Sequence, residues 1–197
     1  HHVHESQEIH FSSKKFMQEV NQLTSHIGSN KNNLISRYLN NIFSAAADKF
    51  ENSQLHFSIT HGDMTVDNIL FKDRKVYSID IKSKPAATYS DIGLILVHPE
   101  TFIPQVLSFG LFIPGKFIKK YQAAIINGYF RDAEKDYAKI FLYCALHLLD
   151  KWAMYEDIFS SRKNLKRLIA LLLSPVFKLY FFYKVKSYLA KAKLQQR

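Results

Sequence analysis

Residues 61–81 read HGDMTVDNILFKDRKVYSIDI and hold four carboxylates, an asparagine and a histidine between apolar runs. Asn68 follows Asp63 by five residues, and Asp80 follows Asn68 by twelve. Apolar and polar residues alternate in three bursts, 55–60, 69–71 and 75–81, with turn-forming residues between them. That period predicts short strands joined by polar loops. Asp63 and Asn68 then fall on the loop between the first two strands and Asp80 at the end of the third, where residues that do chemistry are commonly found. Turn punctuation alone accounts for Asp, Asn and Gly in such a loop. It does not account for Asp80, because "VYSIDI" reads as a half-buried strand. A carboxylate there costs on the order of several kcal/mol unless it is paired or bound to a metal. Phosphoryl transfer gives all three positions a purpose. It needs Mg²⁺ to neutralise the phosphoryl charge, a carboxylate to orient and deprotonate the attacking hydroxyl, and a second oxygen ligand for the metal.

The elements that must position these residues are mostly helical. Phe16, Val20, Leu23 and Ile27 recur at helical spacing over 13–27, and Gly28 is placed to stop that helix. After "SNKNN" a second helix keeps Leu34, Tyr38, Ile42, Ala46 and Phe50 four apart, with Ile35, Leu39 and Phe43 beside them. A third begins near Tyr89 in "YSDIGLILV", with Ser90 or Asp91 near its cap. Pro99, Pro104 and Pro114 then break the pattern into short pieces. Helical spacing resumes over 116–129 and 133–155, the latter with an apolar stripe from Ile140 to Trp152. Two further stretches, 163–173 and 176–193, are separated by Ser174 and Pro175. The fold expected is α+β and mainly helical, with a small β-hairpin element carrying the polar loop.

With 197 residues, 47% of them apolar, the chain can bury a substantial core. The lone cysteine, Cys144, excludes a disulfide framework and a cysteine metal site, and fits a reducing, cytoplasmic compartment. "HHVHESQEIH" has no signal-peptide core and reads as a tail or tag remnant. Residues 161–197 hold ten Lys or Arg and no Asp or Glu, so the net charge of +10 belongs to this tail. Such asymmetry points to an acidic partner for the tail.

In protein kinases the catalytic loop also places an Asn five residues after its Asp, with a metal-binding Asp on the next hairpin. More closely, the chain resembles the aminoglycoside phosphotransferase and choline kinase family. Its members carry an HGD loop followed by Asn and "IL", a strand ending in "ID", and an Asp opening a helix. Here these are "HGDMTVDNILF", "YSIDI" and "SDIGLIL". The resemblance covers 55–97 and extends more loosely to "KKYQAAIINGY". It implies a kinase-like C-terminal lobe over 13–160, with the catalytic loop at 59–81 and a basic amphipathic helical extension over 161–197. It also implies Asp63 as catalytic base, Asn68 and Asp80 as ligands of Mg²⁺ and so of ATP or another nucleoside triphosphate, Asp91 bracing the loop, and His61 supporting it. The implied activity is transfer of a phosphoryl group to a hydroxyl of a small molecule or sugar. Ile81 stands where an aromatic is usual in the family, and Lys82 where a polar or acidic residue is frequent. The 60 residues before His61 read as two helices with Gly28 their sole glycine. No nucleotide lobe with a phosphate-covering loop and strand-borne lysine is therefore expected in them. A non-catalytic kinase-like binding or scaffold module is the alternative.

The tail "LIALLLSPVFKLYFFYKVKSYLAKAK" is interrupted by Pro175 and Lys178 and falls short of a span of about 20 apolar residues. Two readings stay open. Its aromatic, basic face suits an anionic membrane surface, which would make the protein peripheral. In the simpler reading, its apolar side packs on the lobe and its lysines are solvated. Tyr and Phe interleaved with Lys also suit nucleic acid, but no reader motif accompanies them, and a charge patch alone binds non-specifically.

Overall fold

The computed structural model describes residues 7–27, 33–73, 75–131, 135–161 and 165–195, with side chains described outside 161–171. Gly28, the amino-terminal histidines 1, 2 and 4, and Lys163 lie outside the described residues. The architecture is α+β and mainly helical. Its elements are β1 (Gln7–His10), α1 (Ser13–Ile27), α2 (Leu34–Ala47), β2 (Gln54–Thr60), β3 (Ile69–Lys72), β4 (Lys75–Ser78), β5 (Lys84–Ala87), α3 (Thr88–Val97), α4 (Ile103–Leu107), α5 (Gly115–Phe130), α6 (Tyr137–Ser161) and α7 (Leu165–Leu194).

The core forms around α6, where Ile140, Cys144, Ala145, Leu148, Leu149 and Trp152 of the stripe expected from spacing are buried, joined by Leu142, while Phe141 of that stripe is half-buried. Helix α3 crosses it at close range. A Cβ on Gly93 would lie 2.9 Å from the Tyr143 carbonyl carbon, so any larger residue forces the two helices apart. Helix α1 buries Phe16, Val20, Thr24 and Ile27 on the same core. In α2 the side-chain amide of Asn33 caps the helix by accepting from Ile35 N–H at 2.9 Å. The helix buries Leu39, Phe43, Ala46 and Ala47, so Leu39, Phe43 and Ala46 of the expected face lie in the core, as does Phe50 just beyond the helix, while Leu34, Tyr38 and Ile42 are not fully buried. Leu34 lies in the first turn and is exposed, while Tyr38 faces Phe182 of α7 at 5.5 Å between ring centroids.

Helix α7 runs without a break where two helices were expected. Pro175 removes one donor to the preceding turn, but Phe177, Tyr180, Phe181, Val185, Tyr188, Leu189 and Ala192 seat a continuous stripe in the core. Phe177 packs edge-on against Tyr155 and Phe159 of α6, with centroids 4.9 and 5.0 Å away. One apolar face of the tail is therefore packed into the core, while Leu172, Leu179 and Tyr183 stay exposed. Several of its lysines are engaged as well: Lys184 pairs with buried Glu100, Lys178 with Glu156 at 3.4 Å, and Lys191 lies 4.4 Å over the Tyr188 ring. Glu100 also accepts from Tyr188 Oη at 2.7 Å, and Gln122 donates to both Glu100 and Tyr188 Oη. Among the described residues no helix is long and apolar enough to cross a membrane.

The strands form two small antiparallel sheets. One has the order β1–β2–β5, with Gln7 opposite Phe57 and Phe57 opposite Ala87; the other is the β3–β4 hairpin, with Ile69 opposite Ser78. Residues 7–10, assigned to the tail from sequence, thus add an edge strand to β2, and Phe11 just beyond them is buried.

Candidate active site

Strand β2 ends at Thr60, and the chain turns through His61 and Gly62 into the loop bearing Asp63. Asp91, in the first turn of α3, holds that turn with both carboxylate oxygens. Oδ2 accepts from His61 N–H at 2.5 Å and Oδ1 from Gly62 N–H at 3.0 Å. Asp91 is buried, so each of these bonds satisfies a backbone donor that would otherwise be stranded. Gly62 adopts φ +75°, a left-handed conformation, and a Cβ there would lie 3.2 Å from Lys84 Cγ. Both facts favour glycine.

Beyond the turn, the Asp63 carbonyl accepts from Thr65 N–H at 2.9 Å and from Asn68 Nδ2 at 2.8 Å. One donor of the asparagine's NH₂ group is thereby committed, which leaves its Oδ1 as an acceptor. The segment carrying Asp80 is tied to the loop on both sides. Ile79 N–H donates to the Asn68 carbonyl at 3.0 Å, and Lys82 N–H to the His61 carbonyl at 2.9 Å. Asp80 and Ser83 both take positive φ, +54° and +47°. Non-glycine residues in that region cost roughly 1–3 kcal/mol each and concentrate where surrounding structure dictates the backbone, often at functional sites.

The structure thus joins Asp63, Asn68, His61 and Asp91 by direct hydrogen bonds and brings the Asp80 segment alongside. Two expectations change. Strand β4 stops at Ser78, and Asp80 lies outside it and exposed. The burial cost that seemed to demand a partner for its carboxylate does not arise. His61 supports the loop through its backbone N–H and C=O. Its ring is buried, and neither ring nitrogen has a hydrogen-bond partner among the described residues.

Of the other residues at the site, His98 and Lys151 were not singled out from sequence, and Lys82 only as a departure from the pattern the loop resembles. Lys82 Nζ contacts Asp63 Oδ2 at 2.7 Å, and this hydrogen bond holds the Asp63 carboxyl below its usual range, with the Lys82 and Lys151 charges adding to the effect. His98, just after α3, receives Val66 N–H on Nδ1 at 3.4 Å and turns Nε2 toward Asp67 at 3.5 Å. Burial pushes the His98 pKa down, against the opposing pull of Asp67. A lysine in the apolar α6 run "LLDKW" was the available signal for Lys151; for Lys82 it was the departure from the family pattern.

Among the described residues no three His, Cys, Asp or Glu side chains converge as a metal centre. Asn68 Oδ1 and the exposed Asp80 carboxylate are oxygen donors suited to a hard cation. No protein-family model and no curated protein matches the chain. The chemistry open to the site therefore follows from its own geometry: an ionised, half-exposed carboxylate on a pinned loop, with two further oxygen donors on adjoining segments.

Proposed function

We propose that this chain is the kinase-like lobe of a phosphotransferase that uses ATP or another nucleoside triphosphate with Mg²⁺ to phosphorylate a hydroxyl of a small molecule or sugar, in the manner of aminoglycoside phosphotransferases. The observation that carries this reading is the double clamp of Asp91 on His61 and Gly62 N–H, with Asn68 Nδ2 on the Asp63 carbonyl. The loop backbone is immobilised while the Asp63 carboxylate stays accessible, which is what a proton acceptor aimed at an incoming hydroxyl requires. In this role Asp63 takes the hydroxyl proton as the hydroxyl oxygen bonds to the γ-phosphorus and the bridging oxygen departs with the nucleoside diphosphate. Asn68 Oδ1 and Asp80 would hold Mg²⁺, which supplies charge neutralisation on the phosphate oxygens. Lys82 lowers the pKa of Asp63 further, so the proton transfer requires the ion pair to loosen as the hydroxyl approaches.

The Lys82–Asp63 ion pair also favours a second reading, a non-catalytic kinase-like binding module in which the carboxylate is occupied. Metal binding separates the two. In the full-length protein with ADP present, Mn²⁺ titration followed by electron paramagnetic resonance should show Asp80→Ala and Asn68→Ala each weakening the metal at least tenfold, roughly the scale on which even outer-sphere partners act. Unchanged affinity in both variants removes these residues from a metal site.

A further inference from the structure

Beside the Asp63 loop lies a cavity that the phosphotransfer chemistry leaves unused. It measures about 440 Å³ and opens between the loop, the segment 98–112 and α6, within the size range of small-molecule sites. Asp67 and His98 form its loop side, Phe102, Phe112 and Met154 are apolar walls, and Lys151 reaches in from α6. The apolar walls are uncovered: Phe112 is 62% exposed, Met154 38% and Phe102 36%.

Lys151 is half-buried, next to fully buried Trp152, and has no ion-pair partner among the described residues. Its charge is felt by the adjacent Asp150 and by Asp63, but neither lies within ion-pairing distance of it. Asp63 is taken by Lys82 Nζ at 2.7 Å, and Asp67, whose side chain is 77% exposed at the rim, is turned to His98. His98, held neutral by burial, adds no second cation. The cavity therefore combines one ammonium without a direct ion pair among the described residues, the Asp67 carboxylate at its rim, and bare aromatic and thioether walls beside the loop that carries Asp63.

We propose that this cavity binds an amphipathic anion: a molecule with a phosphate or carboxylate group that pairs with Lys151 Nζ and a short apolar body that covers Phe102, Phe112 and Met154. Naming that molecule as the hydroxyl acceptor rests on the phosphotransfer reading; its binding does not. A nucleotide is the other source of such an anion. The apolar walls favour the amphipathic acceptor over a polyphosphate.

The test measures binding by isothermal titration calorimetry on the full-length protein, without metal or turnover, using octyl phosphate and the neutral octyl glucoside below their micelle concentrations. Octyl phosphate should bind at least tenfold more tightly than octyl glucoside. Lys151→Gln should lower octyl phosphate affinity about tenfold or more, the typical loss for a charge-assisted hydrogen bond, and leave octyl glucoside unchanged. Asp67→Asn should tighten octyl phosphate by removing a like charge at the rim. Phe112→Ser, on an exposed segment, should weaken both probes alike. Equal binding of the two probes to the wild type, or no loss in Lys151→Gln, overturns the proposal, as does competitive displacement of octyl phosphate by ADP, which would assign Lys151 to the nucleotide. Should Lys151→Gln fail to fold, the opposite responses of Asp67→Asn and Phe112→Ser decide the matter, and absence of either overturns it. Asp63→Asn separates the two levels. It should retain octyl phosphate binding, so loss of turnover there with binding intact bears on the reaction, while loss of probe selectivity with turnover intact bears on this cavity alone.

Discussion

The α6–α7 core and the segment 61–83 use their polar groups in opposite ways. In the core, Glu100, Lys184, Tyr188 and Gln122 close on one another, and side chains chiefly satisfy side chains, with Gln122 also donating to the Leu96 carbonyl. In the loop segment the polar groups that are fixed are chiefly backbone ones. Asp91 takes two N–H groups, Asn68 donates to a carbonyl, and Ile79 and Lys82 donate N–H to carbonyls. The carboxylates of Asp63 and Asp80 remain within reach of solvent. The apolar residues divide in the same way: Leu70, Phe71, Val76 and Tyr77 of the β3–β4 hairpin are exposed, whereas the α7 stripe is buried. A rigid backbone that presents solvent-accessible carboxylates is the arrangement of a site, and a closed side-chain network is that of a scaffold.

The largest effect should come from breaking the core network. Glu100→Ala leaves Lys184 and Tyr188 without their shared acceptor, and removing one partner of a buried pair costs about 3–5 kcal/mol. Urea unfolding should show this loss, and a change under about 1 kcal/mol would mean that the network is not closed in solution.

Next is Asp91→Ala, which strands two backbone donors at about 1–3 kcal/mol each. Its distinguishing signature is local. Amide hydrogen exchange should rise at His61 and Gly62 well beyond its rise in α6, whereas a uniform rise would place Asp91 in the scaffold instead of the loop.

The smallest effect is that of Lys82→Met. Lys82 holds the Asp63 pKa down in the folded protein. A depressed carboxylate contributes stability that is present above its unfolded pKa of about 3.9 and lost as pH falls through the folded value. Lys82 is 53% exposed, so the contribution is small and screened by salt. In a carboxyl carbon NMR titration, Asp63 should have a midpoint below the ordinary range in the wild type and move upward in Lys82→Met. Identical midpoints would show that the ion pair does not form.

Much of this division was legible in the sequence. Helical periodicity located α1, α3, α5 and α6 to within a few residues, and the alternating bursts located β2, β3 and β4. Strands β1 and β5 were not legible. Gln7–His10 holds one apolar residue in a polar run, and Lys84–Ala87 contains Pro85 and two alanines. Both are edge strands whose pairing is supplied by β2. Pro175 reads as a helix break, but the stripe from Phe177 to Ala192 shares one packing surface that local propensity does not register. Within the site, Asp63 and Asn68 were legible because their contact spans five residues of one loop. Lys151 and His98 reach the loop only through the packing of α3 on α6, a closure over 30 to 90 residues that no local pattern encodes.

Phosphoryl transfer by the wild type and by Asp63→Asn tests the central claim most directly. ADP release from Mg-ATP would be followed in the full-length protein against a panel of aminoglycosides, choline-like alcohols and sugars. The substitution preserves the loop's size and its backbone hydrogen bonds while removing the base. The wild type should phosphorylate at least one class, and Asp63→Asn should lower kcat by about 10²–10⁴ with nucleotide KM little changed. Turnover retained within about threefold would contradict the role of Asp63, and a wild type that transfers phosphate to none of the panel would contradict the phosphotransferase itself in favour of a binding module.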